Sequence, residues 1–332
     1  MMKHNNMFSL IAFVSAILLA PLHCYAADPL PSWKDGEMKL ALTKFVDDVS
    51  RAGSSTFIPE SERIAVFDND GTLWSEKPMY FQALFAIDRV KAMAPSHPEW
   101  RDKEPFRSIL AGDLKTALSS GEAALLEMIT ATHSGMTADE FARIVREWIS
   151  TATHPSTGKP YTQMVYRPML EVLLYLRSRG FKTYLVTGGG VEFVRVFAEE
   201  VYGVPPEQVI GSSGKIAYEV RDGVPTIVKL PGIHFIDDKA GKPVAIHYQI
   251  GRRPIMAFGN SDGDFQMLEW VSSGAGPRFA AIVHHDDAVR EWAYDRTSHV
   301  GKLDRGLDEA SRRGWKVFSM SRDWATVFAS LP

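Results

Sequence analysis

Apolar residues recur at helical spacing from Glu37 to Val49, where Met38, Ala41, Leu42, Phe45, Val46 and Val49 share one face. The pattern then shortens to a continuous apolar run, Arg63 to Phe67 (RIAVF), which predicts a buried strand leading into Asp68-Asn69-Asp70-Gly71-Thr72. The long stretch that follows reads as almost wholly helical, with helices over MYFQALFAIDRVKAMA from Met79, EAALLEMITAT from Glu122, and Ala138 to Ile149. Thr137 and Glu140 form a capping box for the last of these. Pro168 to Arg179 predicts a helix with Pro in its first turn and Gly180 as its stop. FKTYLV predicts a strand ending at Thr187-Gly188-Gly189-Gly190 and opening into a helix from Val191, and KIAYEV and TIVKL predict a hairpin around Asp222-Gly223. A helix from about Pro243, the strand PIMAFG ending at Gly259, a helix from Asp264, the strand FAAIVHH, further helix and a last strand WKVFSM complete the pattern.

Strands that alternate with helices argue for an α/β fold built on a doubly wound parallel sheet of the Rossmann-like kind. Residues 27–76 and 167–332 would form that core, and 77–166 would be a helical domain inserted after the first strand.

Residues 1–26 have another character. Lys3 is followed by the apolar run Phe8 to Ala20, then Pro21 and the small-residue pattern Cys24-Tyr25-Ala26. This is the layout of a secretory signal peptide cleaved after Ala26, with a hydrophobic region too short to span a bilayer. The mature chain is therefore expected to be exported, periplasmic or secreted, with no stable membrane insertion. Cys24 is the only cysteine. Its removal would exclude disulfides, cysteine-ligated zinc and a cysteine nucleophile. The composition, 45% hydrophobic and 23% charged, is that of a globular protein, and a net charge of −3 without a basic stripe gives no footprint for nucleic acid.

In open α/β sheets ligands collect at the carboxyl ends of the strands. Four polar clusters fall there or at the start of the adjoining helix: Asp68/Asp70, Thr187-Gly188, Lys242, and Asn260 to Asp264. A calcium loop needs Gly at its sixth position and Glu at its twelfth, whereas counting from Asp68 Gly71 is fourth and Met79 twelfth. Two aspartates on alternate residues after an apolar strand suit another task, one as nucleophile and the other as proton donor and acceptor. The glycines after Thr187 fail as a dinucleotide fingerprint because Phe193 occupies the third glycine's position. Lys239 competes with Lys242 for the role of a fixed charge, though Lys242 precedes Pro243 at a helix start. His284-His285-Asp286-Asp287 resembles a metal cluster, yet adjacent strand side chains point to opposite faces, so it reads as a strand terminus capped by Asp286 or Asp287.

FDNDGTLW (Phe67 to Trp74), LVTGGG (Leu185 to Gly190), Lys242 in KAGKP and FGNSDGD (Phe258 to Asp264), in that order, resemble the four motifs of the haloacid dehalogenase superfamily. The likeness is to the phosphoserine-phosphatase-like branch, in which a helical cap is inserted between the first and second motifs. The resemblance implies an Mg²⁺-dependent phosphatase acting on a small phosphorylated metabolite through an aspartyl-phosphate. Asp68 would be the nucleophile, Asp70 the general acid and base, and Lys242 the fixed positive charge. Thr187 and Gly188 would hold the phosphoryl oxygens, with the helix from Val191 aiming its positive end at them. Asp68, the carbonyl of Asp70, Asn260 and Asp264 would hold the metal. Asn260 departs from the pattern, which has an acid there, and Asp262 is an alternative ligand. An acid at position 70 separates the chain from the dehalogenases, which lack one, and from ion-pumping ATPases, which have Thr. A phosphotransferase using the same intermediate and an exported binding protein for a phosphorylated ligand are the alternative functions. Trp74, Glu76, Tyr80 and Phe81 stand nearest the catalytic strand, either facing the pocket or as cap core with Glu76 solvated. Phosphoserine phosphatases place a substrate-recognising Glu nine residues past the nucleophile, where this chain has Lys77, with Glu76 one short.

Overall fold

The computed structural model describes residues 28–117 and 122–328. The predicted signal peptide, 1–26, and its cleavage site lie outside them. Seven strands are present: β1 (Ile64–Phe67), β2 (Lys182–Gly190), β3 (Val209–Arg221), β4 (Val224–Phe235), β5 (Met256–Gly259), β6 (Phe279–His284) and β7 (Lys316–Ser319). They form one sheet in the order β4-β3-β2-β1-β5-β6-β7. All neighbours are parallel except β3 and β4, which pair antiparallel. The doubly wound α/β fold expected from the sequence is present, and β1 lies between β2 and β5 where the winding reverses.

Helices cover both faces: α1 (Glu37–Ser50), α7 (Arg167–Ser178), α8 (Val191–Arg195), α9 (Ala198–Tyr202), α10 (Gly241–Ile250), α11 (Phe265–Ser272), α12 (Arg305–Arg313) and α13 (Met320–Asp323). Burial on both faces explains why β1 and β5 read as unbroken apolar runs and not as alternating ones. The pleat still sorts their residues. Ala65 and Phe67 pack with α1 and α7 in one layer, while Val66 packs with α10 and α11 in the other. Asp68, next in the alternation, belongs to the Val66 face, the face from which α10 presents Lys242.

Between β1 and β2 run α2 (Phe81–Met93), α3 (Phe106–Leu110), α4 (Leu114–Ala117), α5 (Glu122–His133) and α6 (Ala138–Thr151). The capping box at Thr137 is formed in both directions, satisfying two backbone donors at the start of α6. Ile87, Val90, Trp100, Phe106, Ile109 and Met128 give these helices a small core of their own. They do not stand apart from the sheet, however. The β3–β4 hairpin reaches across to them, with Gly135 N–H donating to Lys229 at 2.8 Å and Lys229 N–H donating to Met136 at 2.9 Å.

The glycines after Thr187 stay within the strand: β2 continues through Gly190, with a bulge against β3 between Thr187 and Gly190. The helix opening at Val191 is only α8, five residues long, so few peptide dipoles are aligned toward the site.

Candidate active site

The amide of Asp68 donates to the carbonyl of Phe258 at 2.9 Å, so β1 and β5 still hold each other where the first polar side chain emerges. Its Oδ1 accepts from Lys242 Nζ at 2.5 Å. The same ammonium donates to Asp264 Oδ1 at 2.7 Å and to the carbonyl of Val186 at 2.9 Å. All three lysine hydrogens are thereby used. Burial alone would lower the Lys242 pKa, but the charges of Asp264 and Asp68 outweigh it and hold the group as an ammonium. Burial, followed by repulsion from Asp264, raises the Asp68 carboxyl well above the usual range against the pull of Lys242. Lys239, with a positive φ of 51°, does not enter this cluster through any hydrogen bond or ion pair of its side chain.

Asp70 is half-buried, and its Oδ1 accepts from the Trp74 indole at 2.9 Å. Burial raises its pKa, with the Trp74 bond opposing and Thr187 also facing the carboxylate. Thr187 is fully buried, and its hydroxyl accepts from Gly189 N–H at 3.0 Å, which leaves the hydroxyl hydrogen to donate. Gly188 is exposed at the edge of the site, with its carbonyl accepting from Ser212 at 2.8 Å. A side chain on Gly189 would stand 3.2 Å from both Thr187 Oγ1 and Gln82 Oε1 and 3.8 Å from Asp70 Oδ2. The glycine therefore keeps open the space between the acid, the hydroxyl and the first residues of α2.

The fourth motif folds back on itself. Asp264 Oδ2 accepts the amides of Asn260 and Ser261, each at 3.0 Å, while its other oxygen faces Lys242. Asn260 Oδ1 accepts from the Thr72 hydroxyl at 3.0 Å, and its Nδ2 donates to Glu76 Oε1 at 2.7 Å. Asp262 is occupied elsewhere: its oxygens accept the amides of Asp304, Arg305 and Gly306 at the start of α12. Of the two candidates in this motif, Asn260 is the one that the fold brings to Asp68 and Thr72.

Glu76 is buried and not solvated. Burial, with repulsion from Asp70 and Asp68, raises its pKa well above the usual range, although the Tyr294 hydroxyl donates to it at 2.8 Å. Trp74 and Phe81 are core, with Trp74 stacked on Phe197 at 4.7 Å. Tyr80 is exposed. Lys77 turns to Ser298 and the carbonyl of Val300 and lies over the Tyr294 ring.

Three contributors were not assigned to the site by the sequence. His285 Nε2 meets the carbonyl of Gly71 at 2.8 Å, so that nitrogen carries the hydrogen, and Nδ1 faces Glu291 at 3.2 Å. It pins the loop that carries both aspartates. Tyr294 supports Glu76, and Gln82 Oε1 accepts from Gly190 N–H at 2.6 Å, tying α2 to the end of β2. His284 faces Asp295 and Asp286 instead, so the two histidines diverge as strand geometry requires. Asp287 caps its own turn through the amides of Val289 and Arg290.

Among the described residues no three His, Cys, Asp or Glu side chains are spaced to hold a metal by themselves. The donor set at the end of β1 is mixed: Asp68, the carbonyl of Asp70, Asn260 Oδ1 and Asp264. Asp68 and Asp264 are buried against the ammonium of Lys242, and Glu76 is buried with Lys77 acting on it only from farther away. That excess of negative charge, with oxygen donors throughout, fits a hard divalent cation.

The family model described as haloacid dehalogenase-like hydrolase matches residues 65–269, more than half of the chain. Among solved structures, the chain is similar to a protein with unknown function from Bordetella pertussis Tohama I, at 19% identity over 77% of this chain and 98% of that one, with a TM-score of 0.49. A conserved functionally unknown protein from Anaerococcus prevotii DSM 20548 is similar at 16% identity over 75% and 86%, again with a TM-score of 0.49. A probable phosphoserine phosphatase from Vibrio cholerae is similar at 14% identity over 78% and 69%, with a TM-score of 0.38. No curated protein matches the sequence.

Proposed function

The chain belongs to the haloacid dehalogenase-like hydrolases, and from that premise we propose that it hydrolyses small phosphomonoesters through an aspartyl-phosphate on Asp68. The observation that carries this reading is Lys242, in the first turn of α10, bridging Asp68 and Asp264 while Asp70 stands beside them, the aspartates following the carboxyl ends of the adjacent strands β1 and β5.

Lys242 fixes Oδ1 of Asp68, and Oδ2 has only a long contact, 3.4 Å, with Thr72. Oδ2 is the oxygen free to attack phosphorus from the ionised carboxylate, the form that Lys242 favours against burial. Bond formation there expels the alcohol oxygen, which takes a proton from Asp70. The raised pKa of Asp70 favours the protonated form that this step requires. Asp70, now ionised, removes a proton from the water that hydrolyses the acyl phosphate and returns Asp68. Thr187 and Gly188 donate to the phosphoryl oxygens, and Lys242 offsets the charge that accumulates near Asp68. A Mg²⁺ held by Asp68, the Asp70 carbonyl, Asn260 and Asp264 would cancel the repulsion between the attacking carboxylate and the phosphoryl group. The helices between β1 and β2 stand over the site as a lid suited to small substrates. The signal-like residues 1–26 support an exported, periplasmic or secreted enzyme.

Hydrolysis of an aryl phosphate, measured with Mg²⁺ or with EDTA beside an Asp68→Asn control, tests this. Turnover that requires the metal and disappears in the control is expected. Turnover that survives Asp68→Asn, or ligand binding without turnover at any pH, overturns the reading.

A further inference from the structure

Asn260 occupies a position where the resemblance calls for an acid, and an asparagine brings two difficulties to a cation site. It carries no charge, and its amide can present either an oxygen or an NH₂ group, of which only the oxygen can ligate. Both difficulties meet an answer in Glu76. In its ionised form Glu76 only accepts, so the contact of 2.7 Å between Glu76 Oε1 and Asn260 Nδ2 commits the NH₂ to Glu76. The amide oxygen is then turned the other way, onto the Thr72 hydroxyl at 3.0 Å. That hydroxyl lies 3.4 Å from Asp68 Oδ2, so the oxygen of Asn260 is on the nucleophile's side.

Glu76 is itself held firmly. Tyr294 donates to Oε1, and a Cβ added at Gly71 or Gly301 would stand 2.5 and 1.8 Å from that oxygen. Both glycines have positive φ, 79° and 65°, which disfavours a side chain at either position. No ammonium or guanidinium among the described residues lies within ion-pair distance of Glu76, although it is buried; Lys77 acts on it only from farther away. A buried carboxylate without a close cation is costly, and a cation bound at Asn260 would hold it ionised. The geometry is that of an anion placed behind a metal ligand, where outer groups orient the inner ones.

We propose that Glu76 is a positioning residue for the metal site, turning the carbonyl oxygen of Asn260 toward Asp68 and supplying the negative charge that the amide lacks. The pair Glu76–Asn260 then does what a single aspartate would do. This inference rests on the metal-dependent reading above.

The test is Mn²⁺ binding to the purified protein, followed by electron paramagnetic resonance without substrate. Glu76→Gln is expected to weaken Mn²⁺ binding by about 10- to 100-fold. Glu76→Gln combined with Asn260→Asp is expected to restore affinity to near the wild-type value, since the charge returns at the ligand itself. A purely structural role for Glu76 would not be rescued by a change at position 260. Unchanged binding in Glu76→Gln, or no rescue in the double variant, overturns the proposal. If Glu76→Gln alone does not fold, Tyr294→Phe replaces it: several-fold weaker Mn²⁺ binding supports the proposal and unchanged binding overturns it. Absence of Mn²⁺ binding in the wild type would instead remove the metal-dependent reading itself.

Discussion

On one flank of Asp68, two buried carboxylates share a buried ammonium: Lys242 lies 2.5 Å from Asp68 and 2.7 Å from Asp264 and completes its bonding on a backbone carbonyl. On the other flank, Glu76 and Asn260 are equally buried and share hydrogen bonds, and among the described residues no cation lies within ion-pair distance of them. Moving an ion from water into a protein interior costs several kcal/mol unless a partner offsets it. The first flank carries a partner within the chain, with two carboxylates on one ammonium. The second places a buried carboxyl group beside the proposed nucleophile with no such partner, an arrangement that the proposed cation would complete. The contrast separates groups that hold the nucleophile in place from groups that prepare the place beside it.

The largest effect should come from breaking the compensated flank. Lys242→Met leaves Asp68 and Asp264 buried without their ammonium, and a loss of about 3–5 kcal/mol of stability is expected. Thermal unfolding measures it, and a melting temperature equal to the wild type would show that the two aspartates do not depend on Lys242. Next is the acid between the flanks. Asp70→Asn should lower turnover by about 10²- to 10⁴-fold and leave Mn²⁺ binding intact, because its backbone carbonyl, the proposed ligand, is retained. Equal loss of binding would move Asp70 from proton transfer to metal holding.

A smaller effect is expected at Gly71, whose φ of 79° and missing Cβ let Asn260 and Glu76 meet beneath the loop. Gly71→Ala would push against both, so it should weaken Mn²⁺ binding more than it lowers the melting temperature. The reverse ranking would make the glycine a matter of backbone shape alone.

The smallest effect concerns Asp237, a buried neighbour of the compensated flank whose pKa burial pushes up to about 7. Its folded pKa lies above the unfolded value. Its contribution is therefore complete below the ordinary carboxylate range and is lost as pH rises through about 7. Asp237→Asn should melt near the wild type at acid pH and a few degrees higher at pH 8. A difference that does not change with pH would show that Asp237 titrates alike in the folded and unfolded protein.

Much of the first flank was legible before the fold was known, because its residues stand directly after apolar strands or at a helix start. Asp68 and Thr187 each follow a buried run, and Lys242 stands within the first turn of α10. On the second flank only Asn260, directly after β5, was legible. Glu76 reads as one residue out of place, either facing the pocket or solvated, since nothing local shows that Tyr294, more than two hundred residues away, donates to it. His285 reads as a strand terminus because its contact is to the carbonyl of Gly71, which leaves no trace in residue type. Likewise the open space at Gly189 and the occupation of Asp262 by α12 depend on distant backbone.

Alternation of apolar strands and amphipathic helices, a property of each segment alone, determined the layered sheet and therefore which side chains emerge at its carboxyl edge. Which of those side chains are paired, which are left without a cation, and which way the amide of Asn260 turns were decided only by tertiary structure. These properties depend on desolvation and on contacts between elements far apart in the chain, and neither is encoded in local pattern.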